Sequence, residues 1–562
     1  MTTKRPLGSE SCVIFKLPQD SSLKRLRATL RANSPITEES VRDLKYSYLD
    51  SFDWRLYDAG MMLASAWQED VLHLRLCSLA EAWCYTTPAA QAFCPKLAND
   101  IADPRLRALV APAVNGRALL PLVSVNCRER PFRILNKDGK TVVKLQFCEE
   151  RLGSREHRGT ADLGSWLRLS AVRGYENAFE KWRALVCSDL GATPQLPFTR
   201  YLAAAGRQPG DYSSKLDIRL LQTQRADVAA RVILRHLVKT MIANEDGICR
   251  DLDPEFLHDF RVAVRRTRSL LGQVKSVFPE QRVRRFRAEF SWLGQVTGTA
   301  RDMDVYLSKF TGLKTSLPAT FQEDLMPLLG HLRTQKDLAH VALVRALQSS
   351  RYQKLKHDWL ALLDAEVPQR SNLANATRPI AAVADECIRR VHRRALKEGK
   401  QIREDSPPPM LHQLRRTCKK LRYLLEFFHS LYPRDAMENL LAPLKKLQDN
   451  LGDYQDLQVQ QEVLLDFRQT VESSHELTQG NQHAIDLLVQ TLVKRQTSRR
   501  AEFRECFRGL QRERGRFKTL FSPKVAAIQA QALSAGNDEL PASKGLARGL
   551  SEEPATALAR AL

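Results

Sequence analysis

The sequence predicts a multi-domain chain that joins an α+β part to an all-α part. Three N-terminal segments, 123–128, 141–147 and 167–172, have the composition and alternation of β-strands. Two basic stretches, 258–271 and 412–425, carry apolar residues at helical spacing and repeat each other. At about 150 residues per domain, 562 residues allow three or four domains. The repeat argues for two domains, one of them built from two bundles.

The helical part contains an internal duplication. The segment from His258 to Leu271 returns between His412 and Leu425, 154 residues later (412 − 258), with the shared pattern H-x-x-R-x-x-x-[RK]-[RK]-x-R-x-L-L. The same offset aligns further pairs: Phe278-Pro279 with Tyr432-Pro433, Leu293 with Leu447, Gly298 with Gly452, Asp302 with Asp456, and Val305 with Val459. One offset kept over this whole stretch indicates a duplicated structural unit.

Each repeat predicts an amphipathic helix with one basic face. The first basic face carries His258, Arg261, Arg265, Arg268 and Lys275, opposite Phe260, Ala263, Leu270 and Leu271. The second carries His412, Arg415, Lys419 and Arg422, opposite Leu414, Leu421, Leu424 and Leu425. Solvated faces usually mix signs, whereas the first basic face holds no acid. Like charges one turn apart cost roughly 0.2–0.5 kcal/mol per pair, so the doubled stripe favours an anion-binding face over a solvated one.

Two matched residue pairs accompany the basic faces. His258 and His412 stand towards the N-terminal ends of their helices, where free N–H groups favour anions, so we expect them to donate hydrogen bonds to the anion. No nucleophile lies beside them in the sequence, and we assign no catalytic residue. Asp302 and Asp456 each follow a matched glycine by four residues. An ion pair or cap that orients the arginines is the favoured interpretation, and a bound divalent ion is the alternative.

The two His/Arg helices with their G-x-x-x-D segments resemble the CHAD domain, the conserved-histidine α-helical domain, over residues 222–520. The resemblance implies two pseudo-symmetric four-helix bundles, about 222–365 and 366–520, whose basic helices face a shared groove or pore. It also implies binding of inorganic polyphosphate and association with polyphosphate granules. Together with Lys275, the expected polyphosphate-binding residues are His258, Arg261, Arg265, Arg266, Arg268, His412, Arg415, Arg416, Lys419, Lys420 and Arg422.

Other basic clusters extend beyond the repeated pattern. They are Arg282, Arg284, Arg285 and Arg287; Arg389, Arg390, Arg393 and Arg394; and Arg499, Arg500, Arg504, Arg508, Arg512, Arg514 and Arg516. Each cluster alone is typical of a solvated face, and together we expect them to widen the anion footprint. The cluster on the helix that enters the second repeat supplies candidate secondary contacts: Arg389, Arg390, Arg393 and Arg394.

Residues 1–190 are expected to form a separate domain that closes with a helix from Tyr175 to Val186. The following segment, 191–221, contains several Pro and Gly and is expected to be a linker. The stretch Tyr48-Leu-Asp-Ser-Phe-Asp-Trp-Arg-Leu56 resembles the Y-x-D-T-x-D-x-x-L segment of the CYTH family. That resemblance implies a closed antiparallel barrel, the triphosphate tunnel fold, and CYTH and CHAD domains commonly occur together.

The acids that the CYTH resemblance requires for catalysis are replaced. The E-x-E-x-K segment corresponds to Cys12-Val-Ile-Phe-Lys16, the L-R-x-R strand to Leu63-Ala-Ser-Ala66, and E-x-E-x-K-G to Leu169-Ser-Ala-Val-Arg-Gly174. Such acids hold Mg²⁺ or Mn²⁺, so we expect a divergent, catalytically inactive CYTH domain with neither metal nor cofactor. Scattered bases remain as anion contacts or as ordinary barrel residues: Lys16, Arg75, Arg128, Arg130, Lys144 and Arg173.

The remaining composition limits the partners. The formal net charge of +23 implies acidic partners, and no apolar run is long enough to predict a membrane span. Residues 1–20 lack a signal-peptide pattern, and the eleven cysteines contain no C-x-x-C pair, so we expect reduced thiols in the cytoplasm. Residues 521–562 are expected to form a disordered tail.

The function expected from these patterns is polyphosphate binding at granules, with other polyanions or granule-associated proteins as further partners. The first rival is a metal-dependent triphosphatase or polyphosphatase in the barrel. The second is nucleic-acid binding, which is disfavoured because few aromatic residues interleave the basic helices.

Overall fold

The computed structural model describes residues 8–18, 21–68, 70–89, 94–153, 161–472 and 478–522. The chain forms two compact units, one that ends at Ser214 and one that begins at Lys215. The tail expected to be disordered, 521–562, falls outside the described residues after position 522. Within the described part of the chain, no helix is long and apolar enough to cross a lipid bilayer.

The first unit is a closed antiparallel β-barrel, which confirms the predicted fold. Its strands are β1 (Glu10–Lys16), β2 (Ile36–Glu38), β3 (Arg42–Asp50), β4 (Met61–Gln68), β5 (Val71–Ser78), β6 (Trp83–Pro88), β7 (Leu120–Leu135), β8 (Thr141–Leu152), β9 (Asp162–Ala171) and β10 (Thr193–Pro194). The hydrogen-bonded order β1-β6-β5-β4-β3-β7-β8-β9 closes because β9 pairs with β1. Closure removes the exposed edges that an open sheet would leave.

Among the described residues of this unit, four α-helices pack against the outside of the barrel and one lies in its interior. They are α1 (Leu23–Asn33), α2 (Arg55–Asp58), α3 (Pro104–Val114), α4 (Glu176–Leu190) and, in the interior, α5 (Phe198–Ala204). Strand β9 alternates its side chains between two cores, as a strand must. Leu167 and Leu169 point outward into a core with Trp182 of α4, whereas Trp166 belongs to the core inside the barrel. The helix expected at the end of this domain is therefore confirmed as α4.

The structure differs from the sequence expectation in the segment 191–221. This segment, expected to be a linker, contains α5, and Phe198, Tyr201 and Leu202 are buried in the core inside the barrel. Its Pro and Gly residues suggested a loop, but the run Phe-Thr-Arg-Tyr-Leu between them supplies an apolar helical face. The barrel is therefore plugged by residues that composition alone assigned to a linker.

The cysteines also depart from expectation. Cys77 and Cys84 form a disulfide, whereas the spacing of the cysteines suggested reduced thiols throughout. The two residues lie directly opposite each other in the β5–β6 ladder. Cross-strand neighbours are close enough for a disulfide. This proximity depends on strand register, which the cysteine spacing alone does not give.

The second unit is helical throughout its regular structure. Its helices are α6 (Ala226–Cys249), α7 (Pro254–Gln273), α8 (Glu280–Val296), α9 (Gly298–Lys314), α10 (Met326–Gln348), α11 (Ser350–Asp364), α12 (Ile380–Lys400), α13 (Pro408–Phe427), α14 (Arg434–Glu472), α15 (Gln479–Arg512) and α16 (Arg514–Leu520). The duplicated helices α7 and α13 begin and end at the same 154-residue offset (408 − 254 and 427 − 273). Helices α8 and α9 correspond to the two parts of the single helix α14.

Each basic helix buries the apolar face that its periodicity predicted. Phe260, Ala263 and Leu270 of α7 and Leu414 and Leu421 of α13 are all buried. The two halves also share a core, in which residues of α9 and α10 pack with residues of α14 and α15: Tyr306, Phe310, Leu328, Leu464, Phe467 and Leu488. The halves are thus joined by apolar contact as well as by sequence.

Candidate anion-binding site

A basic cavity of about 560 Å³ lies between the two duplicated helices and α8. Seven of its lining residues are cationic: Arg265, Arg268, Arg284, Arg287, Arg416, Lys419 and Lys420. The other lining residues are Ser269, Ala288, Ser291 and Tyr423, so none of the lining residues is acidic. The arrangement concentrates positive charge in a concave space, which is an anion-binding geometry.

Five of the expected site residues line this cavity, from both repeats: Arg265, Arg268, Arg416, Lys419 and Lys420. Arg284 and Arg287 of α8 also line it, although the sequence ranked them only among the additional clusters. Their spacing of three residues puts them on one helix face. The sequence alone could not place these two arginines in the cavity, because their position depends on how α8 packs against α7. Arg284 also forms an exposed ion pair with Glu280, with Nη2 2.7 Å from Oε1.

The two histidines do not line the cavity. Arg301 Nη2 lies 3.1 Å from Nδ1 of His258, and Nδ1 of His412 lies 2.9 Å from Oε1 of Gln455. Positions 301 and 455 are themselves 154 residues apart (455 − 301), so the two contacts are equivalent by duplication. Each histidine therefore bonds the helix packed beside it, and hydrogen bonding to the anion remains a prediction.

Arg261 and Arg415 pack over the matched glycines. Arg261 donates from Nη1 to the Gly294 carbonyl at 3.0 Å and to Thr297 Oγ1 at 2.8 Å. Its Nη1 also lies 3.7 Å from the place of a Cβ on Gly298. Arg415 Nη2 lies 3.5 Å from the corresponding place on Gly452. A Cβ at either glycine would be in ordinary van der Waals contact with the guanidinium, so each arginine lies directly against its matched glycine.

One acid, Glu426, neutralises part of the basic face by pairing with two arginines. Glu426 accepts from Arg266 Nη2 and from Arg422 Nε, both at 2.7 Å. Arg266 and Arg422 were expected in the site, but neither lines the cavity. Sequence reasoning considered only the acids within the basic stretch of each helix, and Glu426 lies beyond that stretch, near the end of α13.

The matched aspartates take part in ion-pair electrostatics. Asp456 lies 3.0 Å from Lys309 Nζ and 3.7 Å from Arg415 Nη2. Burial raises the pKa of Asp302, and the charges of Arg261 and Arg301 oppose that rise. Both contacts fit the interpretation of these acids as groups that orient arginines.

The crowding of cations changes their ionisation. Burial lowers the pKa of Lys419 to about 7, with further lowering by Arg415 and Arg265. Burial also lowers the pKa of Lys420, helped by Arg394. The Nε of Arg265 is buried and has no acceptor among the described residues. A buried donor without a partner and a destabilised ammonium both favour an incoming anion.

The remaining candidates of the second unit lie outside the cavity lining. Lys275 is exposed beyond the end of α7. Arg389 and Arg393 each donate from Nε to a backbone carbonyl of α12, at 3.3 Å. Arg390 donates to the Gln273 carbonyl at the end of α7 at 2.6 Å, and Arg394 Nε lies 2.7 Å from Glu398 Oε1. This cluster bonds mainly to the helices themselves.

The first unit has a larger cavity of about 1060 Å³ that mixes both signs of charge. Lys16 lines it, together with the bases Lys45, Arg128, Arg151 and Arg200 and the acids Asp43, Glu149, Glu150 and Asp162. Arg128 was also among the predicted anion contacts. The other four predicted bases do not line the cavity: Arg75, Arg130, Lys144 and Arg173. Arg75 donates from Nε to Thr86 Oγ1 at 3.2 Å, and Arg173 is exposed after β9.

Apolar residues occupy much of the barrel interior. Cys12, Ile14, Ala64 and Ala66 are buried there, at positions where the sequence comparison predicted lost acids and arginines. The match of the E-x-E-x-K-G segment to Leu169–Gly174 is wrong in register, because Leu169 and Ala171 belong to the outer core with α4. Arg168 is an inward residue of β9, on the same face as Trp166, and its Nη1 lies 3.7 Å from Glu129 Oε2. Interior acids are therefore present on β7 and β8, which sequence reasoning missed.

Residues 232–465 match the family model of the CHAD domain. An uncharacterised protein of Mycobacterium tuberculosis is 24% identical over 393 residues, which cover 65% of this chain and 71% of that protein. The crystal structure of the CHAD domain from the plant Ricinus communis is 27% identical, with a TM-score of 0.44 over 52% of this chain and 94% of that one. A putative adenylyl cyclase of Hippeastrum, described as having a dominant triphosphatase activity, is 13% identical, with a TM-score of 0.24 over 36% of this chain and 100% of that one.

Proposed function

We propose that the CHAD domain at residues 232–465 binds inorganic polyphosphate in its basic cavity. The observation that carries the proposal is the lining of seven cations without an acid, drawn from both repeats and from α8. Polyphosphate carries about one negative charge per phosphate along a flexible chain. A concave cluster of arginines and lysines can neutralise several successive phosphates at once, and arginine can bind phosphate oxygens through two N–H groups.

The shortage of stacking surfaces favours polyphosphate over nucleic acid. Tyr423 is the one aromatic residue among the cavity's lining residues, and its ring lies 5.9 Å from the guanidinium carbon of Arg266. Proteins that bind single-stranded nucleic acid commonly stack successive bases on aromatic rings. A polymer without bases needs no such surface, and the cavity offers mainly charge.

The ionisation of Lys419 gives a further reason for a multiply charged ligand. Burial and two neighbouring arginines hold its pKa at about 7, so part of the population is uncharged at neutral pH. Bound phosphates would restore the ammonium, because a nearby negative charge favours the charged form. Each phosphate contact thus also relieves repulsion that the free protein contains.

Binding by a cavity variant tests the proposal. Arg265, Arg268, Lys419 and Lys420 are changed together to Ala, and long-chain polyphosphate affinity is measured by titration at one fixed salt concentration. A control variant removes two arginines and two lysines at exposed positions outside the cavity: Lys354, Arg434, Lys446 and Arg516. The proposal expects a loss of more than about tenfold in the cavity variant and a much smaller change in the control. Equal losses of affinity in the two variants would show that binding depends on net charge alone and would contradict the proposed site.

Association with polyphosphate granules follows from this binding as a second part of the proposal. A fluorescent fusion of the full chain is expected to collect at granules, and the cavity variant is expected to spread through the cell. The control variant keeps the same net charge as the cavity variant, so it separates specific binding from general attraction. Granule localisation that survives the cavity changes would point to another part of the chain.

A triphosphatase activity in the first unit is the second candidate. The mixed lining of the larger cavity, with Glu149 and Glu150 beside Lys16 and Arg128, is the observation that favours it. Carboxylates can hold Mg²⁺ or Mn²⁺ while the bases bind phosphate. Release of phosphate from tripolyphosphate with either metal, abolished by Glu150→Gln, would support this activity. If no phosphate is released with either metal, the triphosphatase candidate is contradicted and only the binding proposal stands.

A further inference from the structure

Two thiols and a carboxylate meet inside the barrel. Strands β7 and β8 pair with Cys127 opposite Glu150 and Glu129 opposite Cys148. The side chains of Cys127, Cys148 and Glu150 are each at most 3% exposed, and one potential ligand atom from each lies within 4.8 Å of the other two. The cysteine spacing, which contains no C-x-x-C pair, predicted reduced thiols and no metal site. Strand pairing, not sequence spacing, brings these groups together.

We propose that Cys127, Cys148 and Glu150 bind a thiolate-preferring divalent metal ion, with Zn²⁺ the best chemical match. Cysteine sulfur and carboxylate oxygen are both Zn²⁺ ligands, and soft thiolates disfavour Mg²⁺ and Ca²⁺. Three protein ligands leave one position of a tetrahedral ion for water. Cys127 and Glu150 also line the cavity of about 1060 Å³, which gives the ion a route of entry and that water a source.

The surrounding charges match a bound ion of +2. Two thiolates, Glu150 and Glu129 contribute four negative charges. Arg168 Nη1 lies 3.7 Å from Glu129, and Arg42 Nη1 lies 4.0 Å from it. Arg42 lies closer to Glu39, with Nη2 2.9 Å from Oε2, and Glu39 also pairs with Arg133. With Glu39 counted, five negative charges face five positive ones from the three arginines and the metal. A buried set of charges is tolerated when it is paired and balanced. The assembly with the metal is therefore electrically neutral.

Burial disfavours the charged forms of two of the three ligands, Cys127 and Glu150. Burial raises the pKa of Glu150 to about 7, and the contact with Cys148 and burial both raise the pKa of Cys127. Tyr201 of α5 donates a hydrogen bond to Glu150. A hydrogen bond from a neighbouring group fixes the orientation of a metal-ligating carboxylate, as in known metal sites. Metal binding releases protons from these groups, so it should strengthen as pH rises.

Cobalt binding tests the site in the full-length chain. The reduced, metal-free protein is titrated with Co²⁺, whose thiolate complexes give a charge-transfer absorption band. The proposal expects a band that saturates at one ion per chain and that Zn²⁺ abolishes. The Cys127→Ser/Cys148→Ser double variant should lose the band, and Glu150→Gln should weaken binding. Cys187→Ser, a change of a partly buried cysteine outside the cluster, should leave the band intact. A band retained by the double variant would overturn the proposal.

A second measurement uses only the wild-type protein, so its result does not depend on whether a substituted protein folds. Wild-type protein is alkylated with and without Zn²⁺, and the modified cysteines are identified by peptide mapping. Zn²⁺ should slow the modification of Cys127 and Cys148 by more than about tenfold relative to Cys187. Equal rates with and without Zn²⁺ would contradict the site. A disulfide between Cys127 and Cys148 whose reduced form fails to bind Co²⁺ would also contradict it and would identify a redox pair instead.

Discussion

Arg268 crosses the backbone of α8 at Gly294. Its Nη1 lies 3.1 Å from the place that a Cβ on Gly294 would occupy, closer than most Cβ contacts in proteins. The carbonyl of Gly294 also accepts from Arg261 at 3.0 Å. In the second repeat the equivalent position is Gln448, whose Oε1 lies 3.4 Å from Arg422 Nη1. One glycine therefore positions two basic residues of the first repeat, and it leaves Arg268 available to the cavity.

Gly294→Gln is expected to weaken polyphosphate binding without destabilising the fold. The glutamine would accept from Arg268 as Gln448 does from Arg422, and so draw the guanidinium from the cavity. Gly in a helix interior is about 1 kcal/mol less favourable than the best helix formers, so stability should hold or rise. Titration should show a several-fold loss of affinity. Gly330→Gln serves as the control, because no atom approaches its Cβ position within 4 Å. Unchanged affinity in Gly294→Gln would show that Arg268 does not contribute.

Glu426→Gln is expected to tighten polyphosphate binding. The carboxylate pairs with both Arg266 and Arg422 at 2.7 Å, and its loss frees two guanidinium groups beside the cavity. The expected gain is several-fold at low salt and should shrink at high salt, where screening reduces the added attraction. Glu438→Gln breaks an exposed pair with Arg434 and should have little effect. If the two variants behave alike, Glu426 does not limit the site.

The affinity for polyphosphate is expected to fall as pH rises through about 7. The pKa of Lys419 in the free protein is lowered to about 7 by burial, so its positive charge is present below that pH and lost above it. Lys419→Arg keeps the charge at every pH of interest, because arginine does not deprotonate there. A titration series from acid to alkaline pH should therefore be flatter for the arginine variant. Parallel pH profiles would assign the dependence to other groups.

The same lysine affects the pH dependence of stability. Its folded pKa of about 7 lies below the ordinary value of 10.5, so the unfolded chain binds more protons between those values. The free energy of unfolding contributed by this group therefore rises with pH across that window. Lys419→Met should remove this rise and raise stability most at and below about pH 7, with the gain shrinking towards pH 10.5. Denaturant unfolding of both proteins across the window measures the difference, and an identical pH slope would contradict the lowered pKa.

Tyr201→Ala is expected to destabilise the first unit by about 3–5 kcal/mol, as loss of a large buried aromatic side chain does. Tyr201 is fully buried in the barrel core and bonds Glu150. Leu221→Ala is the control, since Leu221 lies in the same expected linker but is 73% exposed. Surface changes usually stay within about 0.5 kcal/mol. Denaturant unfolding followed by tryptophan fluorescence measures both, and a tyrosine variant as stable as the leucine variant would show that α5 does not plug the barrel.

Features set by local pattern were predictable from the sequence. The repeat predicted helices α7 and α13, their buried faces and five cavity residues, because helical periodicity and a constant offset depend only on residue order. The strands β7, β8 and β9 and the helix α4 were also predictable, because their composition and periodicity are local properties of the sequence.

Features set by packing between distant segments were not predictable. Glu426 neutralises Arg266 across the two repeats, and Arg287 of α8 lines a cavity formed with α13. The inward position of Arg168 and the contact of Cys127 with Cys148 depend on strand register. A single-residue slip reverses the face of every side chain in a strand, so a motif comparison without pairing information misplaced Leu169.

The most direct test of the central claim is the salt dependence of polyphosphate affinity. A site that contacts several phosphates should give a linear fall of log affinity with log salt, as in counterion release from nucleic acids. Removal of Arg265, Arg268, Lys419 and Lys420 should reduce the slope by about three, at roughly 0.7–0.9 per lost contact. The exposed-residue control should keep nearly the full slope. A cavity variant whose slope equals that of the wild type would contradict a polyphosphate site in the basic cavity.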